Sequence, residues 1–247
     1  MSILCYHAVD PGWRSAMSVP PEAFETHCAW LARRRTVLPL DEAVGRLDRS
    51  FRLPRGLVAL TFDDGYASLF EHAAPALRRH RLPWTVFLVA QTLTPGGRTV
   101  DWVDDPPSWP LETLSTAQVL ELQDAGATFG SHSLAHRDLT AIPEDECERD
   151  LRESREVLED LLGRPVPQLA YPRGRHDERV RRAARRAGFA HAFTLPEGPE
   201  PAGPFAVPRV GVYPGNRPAV LRVKTARWYQ PVRTSRVFPT LRRLARR

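Results

Sequence analysis

The residues best suited to chemistry in this chain are two adjacent carboxylates, Asp63 and Asp64, which follow the apolar run at residues 57–60 and precede Gly65. An uninterrupted apolar run is typical of a strand buried on both faces of a parallel sheet, and glycine permits a sharp turn after it. Two like charges side by side repel, and burying both is costly unless a cation or a proton lies between them. The pair therefore indicates a metal site. The open alternative is that both side chains cap the next helix and face water.

Two histidines four positions apart, His132 and His136, could supply nitrogen donors to such an ion. Side chains at i and i+4 share one face of a helix or a wound turn, and neutral imidazole is the commonest nitrogen ligand of zinc. The pair follows a short strand predicted over residues 127–130. The spacing by itself also arises by chance between exposed histidines, so its significance depends on the carboxylates.

A third strand end, after residues 168–170, carries Tyr171, Pro172, Arg173 and Gly174. Taken alone this sequence is typical of an ordinary turn. The carboxyl ends of parallel strands lie at one edge of a sheet or barrel, and ligands bind there. We therefore expect the three strand ends to converge on one site.

Strand and helix patterns alternate along the chain, which predicts an α/β protein. The predicted strands are 2–6, 36–39, 57–60, 84–89, 127–130, 168–170 and 190–194. The predicted helices are 22–34, 68–80, 115–125, 144–162 and 177–187. The length of 247 residues suits one barrel-sized domain. We assign residues 1–215 to this domain and residues 216–247 to a basic C-terminal tail.

In this order the motifs resemble those of the polysaccharide deacetylase family, also called the NodB-homology or carbohydrate esterase family four domain. Residues 61–65 (TFDDG) resemble its first motif, residues 132–136 (HSLAH) its H(S/T)xxH motif, and residues 169–174 (LAYPRG) its third motif. Residues 3–7 (ILCYH) resemble the opening strand of the exopolysaccharide de-N-acetylase branch. The resemblance covers residues 3–213 and implies a single-domain distorted (β/α) barrel.

The resemblance implies one divalent metal ion, usually zinc, bound by Asp64, His132 and His136, with Asp63 as catalytic base. Three protein ligands leave a position for water, whose pKa a metal can lower to about 7. The implied reaction removes an acetyl group from an N-acetylated sugar, an oligosaccharide or a lipid-linked glycan, in glycan or glycoconjugate biosynthesis.

The third motif is expected to serve catalysis and substrate binding. Backbone near Tyr171 is the candidate donor to the oxyanion of the intermediate. Tyr171, Pro172 and Arg173 are expected to contact the substrate.

The general acid is not where the family's last motif would place it. Arg209 stands near the expected histidine, and a guanidinium releases no proton near neutral pH. We expect Arg209 to position an acidic group or to bind substrate. His7, at the end of the first strand, is the candidate acid, with His176 and His191 as alternatives; each could instead be a packing or surface histidine. A carbohydrate-binding barrel without turnover and an O-acetyl esterase remain alternative functions.

Other aromatic and histidine side chains carry weaker signals. Trp102 and Trp109 lie in the irregular stretch 94–110, where an aromatic face could stack on a pyranose ring; the stretch could equally be a loop without a binding role. Three histidines in helical segments are expected to be solvated or packed: His27, His72 and His80.

The formal net charge of +6 is divided unevenly along the chain. Residues 201–247 contain eleven Arg and Lys and no Asp or Glu, which leaves 24 basic and 29 acidic side chains in the first 200 residues. A helix with Val237, Phe238, Leu241 and Leu244 on one face could lie on an anionic membrane. The alternative is a tail that packs over the barrel or stays disordered. No nucleic-acid motif accompanies the charge, so nucleic-acid binding is not expected.

The location predicted from sequence is cytoplasmic, with peripheral membrane contact through the tail as an option. No apolar run approaches the roughly 18 residues of a membrane span, and the N-terminus lacks a signal-peptide pattern. The three scattered cysteines, Cys5, Cys28 and Cys147, fit reduced thiols.

Overall fold

The computed structural model describes residues 2–47, 51, 54–196, 198–201, 203–236 and 238, and its centre is a closed ring of parallel strands. Around the ring the strands are β1 (Ser2–Tyr6), β5 (Leu57–Phe62), β6 (Thr85–Leu88), β7 (Thr128–Ser131), β8 (Gln168–Ala170), β9 (His191–Thr194) and β10 (Val207–Gly211). Pairing of β1 with both β5 and β10 closes the barrel. β7 and β8 share a single register pair, Ser131 with Leu169, which makes the barrel distorted. The predicted α/β barrel is confirmed.

Three short strands lie outside the ring: β4 (Thr36–Val37), which adds to β5, and the parallel pair β2 (Ala8–Val9) and β3 (Ser18–Val19). The helices are α1 (Pro21–Arg34), α2 (Leu40–Gly45), α3 (Ala74–Arg79), α4 (Thr116–Asp124), α5 (Glu144–Leu162), α6 (Glu178–Arg186), α7 (Pro218–Lys224) and α8 (Tyr229–Arg233). The helix predicted over 68–80 begins as a π-helical turn, Leu69–Ala73. Pro75 has no N–H to donate to the carbonyl four residues back, which disfavours regular α-helix there.

Side chains inside the ring follow the two-residue period of the strands. The inward apolar side chains form one cluster that includes Ile3, Ala59, Phe87, Ala170, Phe193 and Val207. Leu4 and Tyr6 belong to the cluster between the strands and the helices. Since alternate residues share a face, Cys5 on β1, Thr61 on β5 and Arg209 on β10 point inward with the first set. The barrel interior thus has an apolar floor and a polar upper layer.

The C-terminal basic segment packs on the barrel as far as α8. The carbonyl of Lys224 accepts a hydrogen bond from Ser2 Oγ at 2.8 Å, and Arg233 Nε donates to the Pro196 carbonyl at 2.8 Å. Gln230 Nε2 donates to the Pro208 carbonyl at 2.5 Å. These contacts favour the alternative in which the tail packs over the barrel, for α7 and α8 at least.

The predicted interfacial helix stays a prediction. Of its four apolar residues, Phe238 is among the described residues, and Val237, Leu241 and Leu244 lie outside them. Within the described ranges, no helix combines the length and the apolar character that crossing a bilayer requires.

Candidate active site

The two carboxylates stand directly beyond β5 in a turn that has a left-handed backbone. Asp63 and Asp64 are each 1% exposed, and φ is +69° at Asp64 and +67° at Gly65. Aspartate tolerates this conformation better than most residues, and glycine adopts it freely. A Cβ added at Gly65 would lie 2.6 Å from Leu88 Cδ2, so the site also lacks space for a larger residue. The turn therefore presents both carboxylates at the carboxyl edge of the barrel.

Asp64, His132 and His136 come together as the sequence predicts. Asp64 Oδ1 lies 3.6 Å from His132 Nε2 and 3.2 Å from His136 Nε2, and one donor atom from each residue lies within 4.8 Å of the other two. All three side chains are buried. The backbone at His136 is left-handed, with φ of +51°, and the centroid of its ring lies 5.0 Å from that of His132.

The donor set fits a divalent cation. His132 Nδ1 lies 2.8 Å from the Ala170 carbonyl, which can only accept, so Nδ1 carries a proton and Nε2 is the ring nitrogen that is directed at Asp64. Burial lowers the pKa of His136 to about 4, against the opposing charge of Asp64, so this imidazole is neutral near pH 7. A carboxylate and two imidazoles directed at one point are the donors that zinc takes.

Trp102 borders this donor set. Its Nε1 donates to Asp64 Oδ1 at 3.1 Å, and its ring stacks on His136 at a centroid distance of 4.9 Å. Trp102 lines the cavity in front of the site, whereas Trp109 is 44% exposed and outside the cavity lining. Of the two tryptophans, only Trp102 is placed to contact a substrate, and it also orients two residues of the donor set.

Asp63 pairs with Arg209 and does not belong to the donor set of Asp64, His132 and His136. Arg209 Nη1 donates to Asp63 Oδ1 at 2.6 Å and Nη2 to Oδ2 at 2.7 Å, and Nη1 lies 3.2 Å from Thr61 Oγ1. Burial would raise the pKa of Asp63, but the charge and hydrogen bonds of Arg209 outweigh it and hold this pKa well below its usual range. Arg209 is fully buried and does not line the cavity, so of its two expected roles the structure favours positioning an acidic group over contact with substrate.

Cys5 is a neighbour of Asp63 that sequence reasoning missed. Its Sγ donates to Asp63 Oδ2 at 3.3 Å from the inward face of β1. Cys5, His7 and Asp63 are close enough to form a second possible ligand group. The guanidinium of Arg209 already occupies both oxygens of Asp63 and would repel a cation there, and burial raises the pKa of the thiol. We therefore interpret Cys5 as a thiol donor to the carboxylate.

The structure separates the three candidate acids. His7 follows β1 and lines the cavity beside Asp63; burial lowers its pKa, against the charges of Asp64 and Asp63. His176 also lines the cavity, but Glu200 Oε2 lies 2.8 Å from its Nε2 and Arg181 Nη1 lies 3.0 Å from its Nδ1. His191 is the first residue of β9, at the amino end of the barrel, so it is remote from the site. The His191 alternative is wrong.

The third motif is placed differently from the prediction. Tyr171 is fully buried, its hydroxyl donates to the Phe205 carbonyl at 3.0 Å, and its N–H donates to the Phe193 carbonyl at 3.1 Å. Neither Tyr171 nor the buried Pro172 lines the cavity, so the predicted direct contacts of these two residues are wrong. Arg173 does line it, with a left-handed φ of +56°.

Arg173 ties the irregular loop 94–110 to the third motif. Its Nη2 donates to the Trp102 carbonyl at 2.8 Å and to Asp104 Oδ1 at 3.1 Å. These bonds hold Trp102 over His136. The side chain of Arg173 therefore supports the loop that borders the donor set.

Asp150 supports the histidine loop from behind. It is 2% exposed, and its Oδ1 accepts the Leu134 N–H at 2.9 Å between the two histidines. The signal in the sequence is a carboxylate on the buried stripe of α5, whose members are Cys147, Asp150, Leu151, Ser154, Leu158 and Leu162. A charged residue on an apolar stripe indicates a specific partner.

A cavity of about 820 Å³ opens at the carboxyl ends of the strands. The site side chains that line it are His7, Asp63, Asp64, Trp102, His132, His136, Arg173 and His176. The volume accommodates a ligand of several sugar rings at most. A parallel barrel with this site is typical of a metal-assisted hydrolase.

Comparison with known proteins identifies the family. The model of the polysaccharide deacetylase family matches residues 40–192, and the chain belongs to this family. It is a carbohydrate deacetylase. The protein YxkH of Bacillus subtilis is 26% identical over 219 residues, which are 87% of this chain and 72% of YxkH.

A further relative and two solved structures are similar. The poly-beta-1,6-N-acetyl-D-glucosamine N-deacetylase of Staphylococcus epidermidis is 26% identical over 193 residues, 73% of this chain and 62% of that protein. IcaB of Ammonifex degensii superposes with a TM-score of 0.73 at 26% identity, covering 91% of this chain and 97% of that one. The deacetylase PplD of Streptococcus pyogenes, solved with acetate, gives a TM-score of 0.76 at 23% identity, covering 92% and 98%, and supports the fold.

Proposed function

We propose that this protein is a metal-dependent de-N-acetylase that acts on an exopolysaccharide of N-acetylglucosamine. The observation that carries the proposal is the convergence of Asp64, His132 and His136 beside Asp63, a carboxylate held outside the ligand set by Arg209. Similarity to the staphylococcal poly-N-acetylglucosamine N-deacetylase supports the choice of substrate class.

The ion would be held by Asp64, His132 and His136, and zinc is the ion that this donor set fits. When bound, such an ion polarises the acetyl carbonyl and lowers the pKa of a coordinated water. Asp63 accepts the proton of the attacking water, and Arg209 fixes the orientation of its carboxylate. The N–H of Arg173, within the third motif, is the candidate donor to the carbonyl oxygen as it gains charge.

In this proposal the protonated form of His7 gives a proton to the departing nitrogen; because burial lowers the pKa of His7, this form becomes more populated as pH falls. An amine leaves as a neutral molecule only if it is protonated, whereas the alcohol of an O-acetyl ester is a better leaving group. His7 lines the cavity on the Asp63 side, while both ring nitrogens of His176 are engaged. The position of His7 therefore favours N-acetyl over O-acetyl substrates.

The proposal is tested by acetate release from oligomers of β-1,6-linked N-acetylglucosamine, with an O-acetylated xylose oligomer as competitor substrate. We expect release from the N-acetyl oligomer to be the faster by kcat/KM. Faster release from the O-acetyl oligomer would indicate an esterase. Binding of both without release from either would indicate a carbohydrate-binding barrel.

Replacement of His136 by alanine is expected to abolish stoichiometric metal binding. The change removes one of three ligands, and two ligands on a water-exposed edge hold zinc weakly. Wild-type protein should retain about one zinc per chain after dialysis and should gain roughly 3 kcal/mol of stability at a hundredfold excess of free zinc over Kd. Metal analysis and thermal unfolding measure both.

His80 provides the matched control for this variant. It is a partly buried histidine that pairs with Glu25 at 2.7 Å on the helical layer. His80→Ala should leave the zinc content unchanged. Equal zinc content in the His136→Ala protein would contradict the assigned ligand set.

A peripheral membrane contact is a second part of the proposal, and lipid-linked glycans would then be accessible substrates. Val223 and Trp228 are 42% and 53% exposed, and each is preceded by an exposed arginine. Arg35 adds a further positive charge close to Arg222; burial and the charge of Arg222 both lower the pKa of Arg35. The Lys224 carbonyl accepts a hydrogen bond from Ser2 Oγ at the start of β1, so the backbone next to Val223 lies near the amino end of that strand.

Vesicle sedimentation tests this contact. The double variant Val223→Ser/Trp228→Ser is expected to bind vesicles of anionic lipid several-fold less than wild type, because interfacial binding scales with buried apolar area. Trp109→Ser, which removes an exposed tryptophan elsewhere, is the control. Unchanged sedimentation of the double variant would refute this surface as the contact.

A further inference from the structure

Tyr213 is an exposed aromatic residue in the wall of the active-site cavity, two positions beyond β10. It is 37% exposed. None of the motifs in the sequence includes it, and neither does the catalytic assignment above. An aromatic ring in the wall of a polar cavity offers apolar surface to a ligand that enters the cavity.

The ring is held from below by a buried lysine. Lys224 Nζ lies 4.6 Å from the centroid of the Tyr213 ring, and Lys224 itself is 6% exposed. The ammonium also donates to the Gly211 carbonyl and to Asn216 Oδ1, both at 2.6 Å. The Lys224 ammonium covers one face of the Tyr213 ring, and the rest of the ring surface is directed toward the cavity.

The backbone around Tyr213 is also fixed. The N–H of Tyr213 donates to Asn216 Oδ1 at 3.1 Å, and the N–H of Asn216 donates to the Tyr213 carbonyl at 2.9 Å. A Cβ added at Gly211 would lie 2.7 Å from the Tyr213 hydroxyl oxygen and 3.0 Å from Cζ. The ring therefore rests on the backbone of Gly211, in a space that any other residue would fill.

We infer that Tyr213 is a substrate-binding residue whose ring packs against a pyranose ring of the glycan next to the catalytic carboxylate. A pyranose presents a face of C–H groups, which an aromatic surface can cover without losing the hydrogen bonds of the sugar hydroxyls at its rim. This inference rests on the proposed function, since it names the contact that holds the same substrate. Lys224 and Gly211 are positioning residues for the ring.

The test compares KM and kcat for acetate release from N-acetylglucosamine oligomers by zinc-loaded protein. Tyr213→Ala is expected to raise KM about tenfold with kcat changed less than about threefold, because the lost contact is made equally in the ground and transition states. Tyr213→Phe should keep the wild-type KM, since packing needs the ring and not the hydroxyl. Gly211→Ala should raise KM by displacing the ring.

Trp109→Ala is the matched control, because Trp109 is similarly exposed but does not line the cavity. Binding of the same oligomers to metal-free protein, measured by calorimetry, gives a readout without turnover, and Tyr213→Ala should weaken it about tenfold. An unchanged KM and Kd in the Tyr213→Ala and Gly211→Ala proteins would overturn the inference, as would a Tyr213→Phe defect equal to that of Tyr213→Ala. If wild-type protein binds the oligomers but releases no acetate, the proposed function fails while the calorimetric comparison still decides the role of Tyr213.

Discussion

Replacement of Asp63 by asparagine is expected to reduce acetate release by roughly 10²–10⁴-fold, the range that a positioned general base contributes. An amide cannot accept the proton of the attacking water, and it would keep only part of the hydrogen bonding to Arg209. Binding of zinc should persist, because Asp64, His132 and His136 supply its ligands. The measurements are kcat/KM for acetate release and zinc per chain.

Asp104→Asn is the control for this variant. Asp104 lines the same cavity, but its side chain is 82% exposed and its pairing is with Arg173. Its replacement should change kcat/KM by only a small factor. If Asp63→Asn kept full activity, another group would have to be the base. If it lost the metal, Asp63 would belong to the ligand set.

Replacement of Arg209 by methionine is expected to lower the free energy of unfolding by about 3–5 kcal/mol, because it leaves a buried carboxylate without its counter-charge. Asp63 and Arg209 are 2% and 0% exposed as side chains, so water cannot substitute for the lost partner. The control is Arg46→Met, which breaks an exposed pair with Glu42 and should cost less than about 1 kcal/mol. Urea unfolding of the metal-free proteins measures both changes.

The effect of Arg209→Met should grow with pH. In wild type the folded pKa of Asp63 is depressed, so its stabilising contribution is present above the unfolded pKa of about 4 and is lost as pH falls through the folded value. Without Arg209, burial would raise the pKa of Asp63, and ionising it above about pH 4 would then destabilise the folded state. The stability difference from wild type should therefore increase between about pH 4 and pH 7.

The double variant Asp63→Asn/Arg209→Met separates pairing from packing. We expect it to be more stable than Arg209→Met at about pH 7, because no buried charge remains in it. A pH-independent difference between Arg209→Met and wild type would contradict the ionic account. So would additive effects of the two single changes.

The metal-binding half of the site could be predicted from sequence because its residues stand next to recognisable strand ends. Asp64 comes two residues after β5, and His132 and His136 follow β7 within five residues. In parallel strands such positions meet at one edge whatever the details of packing. The i, i+4 spacing and the adjacent acidic pair then indicate a carboxylate and two imidazoles as candidate donors.

The predictions that were wrong concern side chains whose direction depends on barrel closure. Tyr171 follows β8 as Asp63 follows β5, yet its hydroxyl is directed to Phe205 and its N–H completes the pairing with β9. The position of His191 depends on the direction of its strand. It begins β9 instead of ending it.

The sequence by itself determined the α/β class, the alternation of elements and the candidate ligands Asp64, His132 and His136, because these follow from hydrophobic period, glycine positions and donor chemistry within short segments. The tertiary structure decided that Arg209 pairs with Asp63, 146 positions away along the chain, and that Tyr213 enters the cavity. Ile3 of β1 pairs with Ala59 of β5 and with Arg209 of β10, so closure of the ring brings β5 and β10 to either side of one strand. No local pattern encodes that pairing, since it arises only when both edges of the sheet meet at β1.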